Sequence, residues 1–135
     1  MLTACTSPKI IFTDNQCKSV FEHTKDDFID RLKAREDNYS IVIFTSVFEG
    51  EKIIVKNNQD MLYNDSVKDI GNGFSKAIRV DNRFDVEIKE IEKDYVFTLK
   101  REHLKDHKYI YIKKDMFKKK RPYIITYSNT LCGFK

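Results

Sequence analysis

Three cysteines, two histidines at i and i+4, and one run of cations are the residues whose types and spacing could support chemistry in this chain. His103 and His107 would share one side of a helix and could together hold a metal. Lys100, Arg101, Lys105 and Lys108 oppose a dication there, and Glu102 and Asp106 offset them only in part. A surface turn without metal is therefore the expectation, and His23, beside Glu22, reads as helix surface. No CxxC or Cys/His spacing suggests zinc. The chain has no Gly-x-Ser-x-Gly, Walker loop, Gly-x-Gly-x-x-Gly or His-Glu-x-x-His, and Gly71-Asn72-Gly73 lacks the Lys-Ser/Thr of a phosphate cradle. The spacing of Asp60, Asn64, Asp65 and Asp69 is not that of an EF-hand. The reading is non-catalytic, with no cofactor, although a triad assembled across a fold would leave no such trace.

Charge is the stronger signal. Residues 1–75 carry 9 Lys/Arg against 12 Asp/Glu, and residues 76–135 carry 16 against 9. The excess peaks in Lys113-Lys114-Asp115-Met116-Phe117-Lys118-Lys119-Lys120-Arg121, between two strand candidates. A protruding basic loop there could meet anionic headgroups or nucleic-acid phosphates, or it could be a solvated turn that discourages edge pairing. In Lys108-Tyr109-Ile110-Tyr111-Ile112 the tyrosines alternate with isoleucines. The expectation is Ile inward and Tyr outward, with Tyr109 and Tyr111 joining Lys113, Lys114, Lys118, Lys119, Lys120 and Arg121 as a contact surface.

The first of the cysteines closes Leu2-Thr3-Ala4-Cys5. An apolar branched residue, two small residues and a cysteine resemble the cleavage box of bacterial lipoproteins, and Thr6-Ser7-Pro8 resembles the tether that follows. The charged and apolar regions that precede such a box are not in this sequence. The resemblance covers four residues and implies a lipid on Cys5, each buried CH₂ adding about 0.8 kcal/mol, and a place in the cell envelope, membrane-anchored, periplasmic or at the surface. Cys17 and Cys132 could then pair in an oxidising compartment, or be two unrelated thiols.

These residues need a scaffold. A chain of 135 residues is one domain able to bury roughly two-thirds of its unfolded surface, and no apolar run approaches the roughly 18 residues of a spanning helix. Residues 1–9 read as a flexible tether and 10–135 as one β-sandwich domain. Ser19-Val20-Phe21-Glu22 has capping-box spacing, Thr24-Lys25-Asp26-Asp27 offers a second start, and Phe21, Phe28, Ile29 and Leu32 form a stripe. One helix is expected within 19–36, leaving at Asp37-Asn38. The period then becomes two. Strand candidates are Lys9–Thr13, Ser40–Phe48, Lys52–Lys56, Met61–Tyr63, Lys76–Val80, Phe84–Ile88, Tyr95–Leu99, Lys108–Lys113 and Tyr123–Tyr127. A hairpin is expected at Glu49-Gly50, and a helical turn or loop over 100–107.

The fold expected is a mainly β, antiparallel sandwich, Ig-like or jelly-roll-like, with one N-terminal α-helix on an edge or face. The function expected is a binding or assembly module, a small envelope lipoprotein with a basic, Tyr-containing surface. Its partner would be a protein or an anionic surface, with the membrane reached through the lipid. Two alternatives use the same residues: a nucleic-acid-binding β domain, and a structural accessory subunit of a virion or other assembly.

Overall fold

The computed structural model describes residues 7–15, 17–45, 48–68, 74–115 and 123–133. The elements in order are β1 (Lys9–Phe12), α1 (Glu22–Leu32), β2 (Tyr39–Thr45), β3 (Glu49–Lys56), β4 (Met61–Lys68), β5 (Phe74–Asp81), β6 (Val86–Glu90), β7 (Tyr95–Leu99), α2 (Arg101–Leu104), β8 (Tyr109–Lys114) and β9 (Tyr123–Ser128). A five-stranded sheet of order β1-β9-β8-β2-β5 packs on a four-stranded sheet of order β4-β3-β6-β7. The mainly β sandwich with an N-terminal helix is the fold that the alternation predicts. Two pairings depart from the antiparallel expectation: β1 runs parallel to β9, and β8 runs parallel to β2. Parallel neighbours need a long crossover, and the whole smaller sheet lies in the chain between β2 and β8.

Between the sheets lies the main core, including Val42, Phe44, Val55, Val86, Ile88, Leu99, Ile110, Ile112 and Ile125. A second cluster covers the outer face of the larger sheet, where Ile29 and Ala34 pack on Ile41, Ile43, Tyr109, Tyr111, Leu131 and Cys132. Because α1 lies on that face, the central strands β2 and β8 are buried on both sides. Such strands read as continuous apolar runs, which Ile41–Phe44 and Tyr109–Ile112 are. Ile110 and Ile112 face inward and Tyr109 and Tyr111 outward, as expected, but the helix buries the tyrosines: Tyr111 donates its hydroxyl to the Thr130 carbonyl at 2.7 Å and accepts the Cys132 N–H at 2.9 Å. Burial pushes the Tyr109 hydroxyl up to about 12.

The helix is shorter than the pattern suggests. It begins at Glu22 after Phe21, with no side-chain cap, because Ser19 is drawn into a β-bridge with Cys132 instead. It ends at Leu32 rather than at Asp37-Asn38. Lys33 takes a left-handed conformation (φ 55°), its N–H reaching Asp30 O and that of Ala34 reaching Ile29 O; that pattern closes helix C-termini. Two cations, one in β5 and one just before β8, satisfy carbonyls just beyond. Arg79 donates to Lys33 O at 3.0 Å, and the Lys108 ammonium donates to Ala34, Glu36 and Tyr39 carbonyls at 2.5, 3.2 and 3.0 Å. The hairpin expected at Glu49-Gly50 is absent from the described residues, since both lie inside β3 and β2 belongs to the other sheet. Gly50 uses its positive φ of 105° at a register shift between Glu49 and Glu51, a bulge that only glycine adopts without strain.

The two ends of the chain run together. After β1 pairs with β9, Thr13 N–H donates to Tyr127 O, and Asp14 Oδ1 accepts from the Asn129 N–H and the Ser128 hydroxyl. Cys17 and Cys132 are bonded, with Cα atoms 5.6 Å apart, and Val20 and Gly133 exchange backbone bonds with Leu131 and Lys18. The bridge spans a sequence separation of 115. Closing so long a loop stabilises chiefly through the unfolded state, by about 3–5 kcal/mol. A Cys17→Ser/Cys132→Ser double variant is expected to lose that amount in urea denaturation. An unchanged midpoint would contradict the role given to the bridge.

Candidate functional site

One end of the sandwich, here called the basal end, gathers the features with chemical interest. Strands β2, β4, β6 and β8 finish there and β1, β3, β5, β7 and β9 begin there, as the pairs Thr45/Phe74, Glu49/Lys68, Glu90/Tyr95, Lys114/Tyr123 and Lys9/Ile124 require. Since β1 is parallel to β9, Lys9 lies beside Ile124, the second residue after the β8–β9 connection. The segment that precedes β1 and the basic connection thus reach the fold at the same end. Cys5, Lys118, Lys119, Lys120 and Arg121 lie outside the described residues. Lys113 is exposed at the root of the connection.

Beneath this end the core finishes in polar groups. Alternation along β6 (Val86, Ile88, Glu90 inward) carries Glu90 into the interior, where it is 2% exposed. There it accepts the hydroxyl of Tyr123, itself buried among the rings of Phe48, Tyr95 and Phe97. Burial, then the hydrogen bond to Glu90, push the Tyr123 hydroxyl well above its usual range. Beside it Lys114 and Glu51 form an ion pair, and the Lys114 ammonium stands 5.8 Å from the centre of the Phe48 ring. Burial pushes the Glu51 carboxyl up. The Lys114 ammonium and the N–H groups of Glu49 and Glu51 more than offset this, so its pKa is lowered.

These contacts sort the residues singled out in the sequence. Lys114 is held by Glu51 and serves to pin the root of the basic connection. Tyr109 and Tyr111 form no platform, because α1 covers them. The two histidines come together as part of a ring cluster: Phe12 lies 5.0 Å from His103, 5.5 Å from His107 and 5.1 Å from Tyr127. Among the described residues no group of three or more His, Cys, Asp or Glu is arranged to hold a metal. The Glu51–Lys114 and Glu90–Tyr123 pairs escaped the sequence reading. The period-two pattern of β6 was the available signal for Glu90; nothing local marks Glu51, whose partner is 63 residues away.

Among the described residues this end is a base of buried groups paired with one another, Glu90 with Tyr123 and Glu51 with Lys114. Every described buried side-chain N or O has a hydrogen-bond partner. No helix among the described residues is long and apolar enough to cross a membrane. Compared with known proteins, the chain matches no family model, no curated protein and no solved structure.

Because the folded Glu51 pKa is depressed, its contribution to stability is present above the ordinary glutamate value of about 4.3 and fades as pH falls through the lowered folded value. Glu51→Gln removes that component and leaves Lys114 without its counter-ion. The variant is expected to lose about 1–3 kcal/mol at pH 7 and to show a smaller stability difference between pH 7 and pH 3 than the parent, read from urea midpoints. Equal pH dependence in the two would contradict the assignment.

Proposed function

We propose that this chain is a non-catalytic envelope module, tethered by a lipid on Cys5, that presents its basic end to an anionic membrane surface and the rest of the sandwich to partners. The observation that carries this reading is the parallel β1–β9 pairing. It starts β1 at the end of the domain where β8 finishes and β9 begins, which supports an anchor on Cys5 and a cationic patch of Lys118, Lys119, Lys120 and Arg121 meeting the same surface. Antiparallel pairing would have sent them to opposite ends. The Cys17–Cys132 bond adds support, because such bonds persist in oxidising compartments such as the envelope.

The magnitudes favour cooperation between the two signals. A single acyl chain gives only marginal membrane binding, and a second chain or a polybasic patch makes it stable. Each Lys or Arg near an anionic surface adds about 1 kcal/mol, decaying within a Debye length. Lys114 is excluded from that count by its pairing with Glu51.

The test is the intact mass and detergent partitioning of the protein expressed from its native gene with all upstream codons, followed by flotation with phosphatidylserine vesicles. The expected result is a chain starting at Cys5 with a lipid-sized mass increase. Its vesicle binding should weaken between 50 and 200 mM salt and on replacing Lys118, Lys119, Lys120 and Arg121 by alanine. An unmodified soluble chain retaining Met1, or vesicle binding indifferent to those four residues, would overturn the reading.

A further inference from the structure

The pairs Tyr39/Asp81 and Lys56/Met61 mark the end of the sandwich opposite the basal one. There β5, an edge of the larger sheet, and β4, an edge of the smaller, come close to the end of α1. Between them lies a groove of about 550 Å³, a size within the range of small-ligand sites, about 300–1,000 Å³. Its apolar lining is Leu32, Met61, Leu62 and Ile78. Leu62 and Ile78 pack with the main core and Leu32 with the outer cluster, so both apolar clusters reach the surface here. Met61 is 57% exposed, and part of this lining therefore meets water.

The charged lining is mostly cationic. Arg31, Lys33 and Arg79 stand against one acid, Asp60, and none of the four forms an ion pair with a described residue. An adjoining hollow shares Lys33 and Arg79 and adds two acids, Asp30 and Glu36. Arg35 takes Asp30 at 2.5 Å, and Glu36 lies outside the apolar groove. Asp81, which also feels Arg79, is bonded to Arg83. Two of the cations are held in place. The Arg79 guanidinium lies 4.3 Å from the centre of the Tyr39 ring and donates one N–H to the Lys33 carbonyl. A guanidinium has five such donors, so one bond fixes it and others remain for a ligand. Lys33 keeps its left-handed φ of 55° at a position where glycine is usual, so an ammonium stands there despite the backbone strain.

We infer that this groove binds a free anionic amphiphile of the fatty-acid class. Its carboxylate meets Arg79, Lys33 and Arg31, and its acyl chain lies on Leu32, Met61, Leu62 and Ile78. Charge and lining select this occupant together. An inorganic anion leaves the apolar lining unused, and a neutral apolar molecule leaves the cations unanswered. A peptide carries a polar N–H and C=O at every residue, which are costly to lay on apolar side chains without partners. An acyl chain brings none, and a guanidinium grips a carboxylate through two parallel N–H bonds. The groove opens at the end opposite the basal one, so the ligand arrives from solution rather than from a bilayer that the basal end meets.

The test titrates the folded, oxidised chain with decanoate below its micelle concentration, followed by NMR and calorimetry. Decanol and inorganic phosphate are the comparisons. Saturable binding at one site is expected, with shifts centred on Leu32, Met61, Leu62 and Ile78 and with both comparison molecules at least tenfold weaker. Arg79→Gln, Lys33→Gly and Met61→Gln should each weaken it several-fold, and Asp60→Asn should tighten it. Glycine suits the left-handed backbone, so Lys33→Gly removes the ammonium while the unfolding temperature stays at or above that of the parent. No saturable binding, shifts elsewhere, or decanol or phosphate binding as tightly as decanoate would overturn the proposal. So would charge variants that bind like the parent, or tighter binding of an acidic peptide at the same residues.

Discussion

The parallel pairing of β1 with β9 is the interaction on which the rest of the arrangement depends. Four residue pairs make the ladder, too few to hold a strand on hydrogen bonding alone, since short edges fray. The chain reinforces it at successive points: Phe12 on Tyr127, Asp14 on the Asn129 and Ser128 groups, the Cys17–Cys132 bond, and the backbone exchange of Val20 and Gly133 with Leu131 and Lys18. The polarity of this zipper decides which end of the sandwich meets the N-terminal segment. Its position makes β1 an edge of the larger sheet.

A second constraint acts from the outer face. α1 is a weak helix by itself, with an uncapped N-terminus and a short stripe, so tertiary contacts must sustain it. Ile29 and Ala34 give it a seat on β2 and β8, and Arg79 of β5 and Lys108, just before β8, reach carbonyls at and beyond its end. Those cations complement the negative end of the helix dipole. The cost falls on Lys108, whose pKa burial lowers. The same seat buries Tyr109 and Tyr111, so the middle of the larger sheet's outer face presents no open tyrosine surface.

Much of this was legible in residue order. Alternation in Phe84–Ile88 and Tyr95–Leu99, with turn residues between, gave a mainly β sandwich, and both prove to be built on strands with Val86, Ile88, Phe97 and Leu99 inside. What escaped was set by partners distant in sequence. Tyr109-Ile110-Tyr111-Ile112 alternates two residue types that are both apolar enough to be buried, so the pattern cannot say whether the second face is covered. Ser19 and Glu22 have the spacing of a capping box, yet Ser19 pairs with Cys132 across the whole chain. Glu49-Gly50 reads as a hairpin, but local sequence does not distinguish a bulge from a hairpin turn. The direction of β1 is likewise invisible in Lys-Ile-Ile-Phe, because parallel and antiparallel edges ask for the same residues.

The most direct measurement is therefore the polarity of β1 in solution, from nuclear Overhauser contacts between backbone protons of Lys9–Phe12 and Ile124–Tyr127. The account predicts a parallel ladder with Lys9 beside Ile124 and Phe12 beside Tyr127. Contacts pairing Lys9 with Tyr127 and Phe12 with Ile124, or no ladder at all, would contradict it. In either case β1 would no longer begin at the end where β8 finishes and β9 begins.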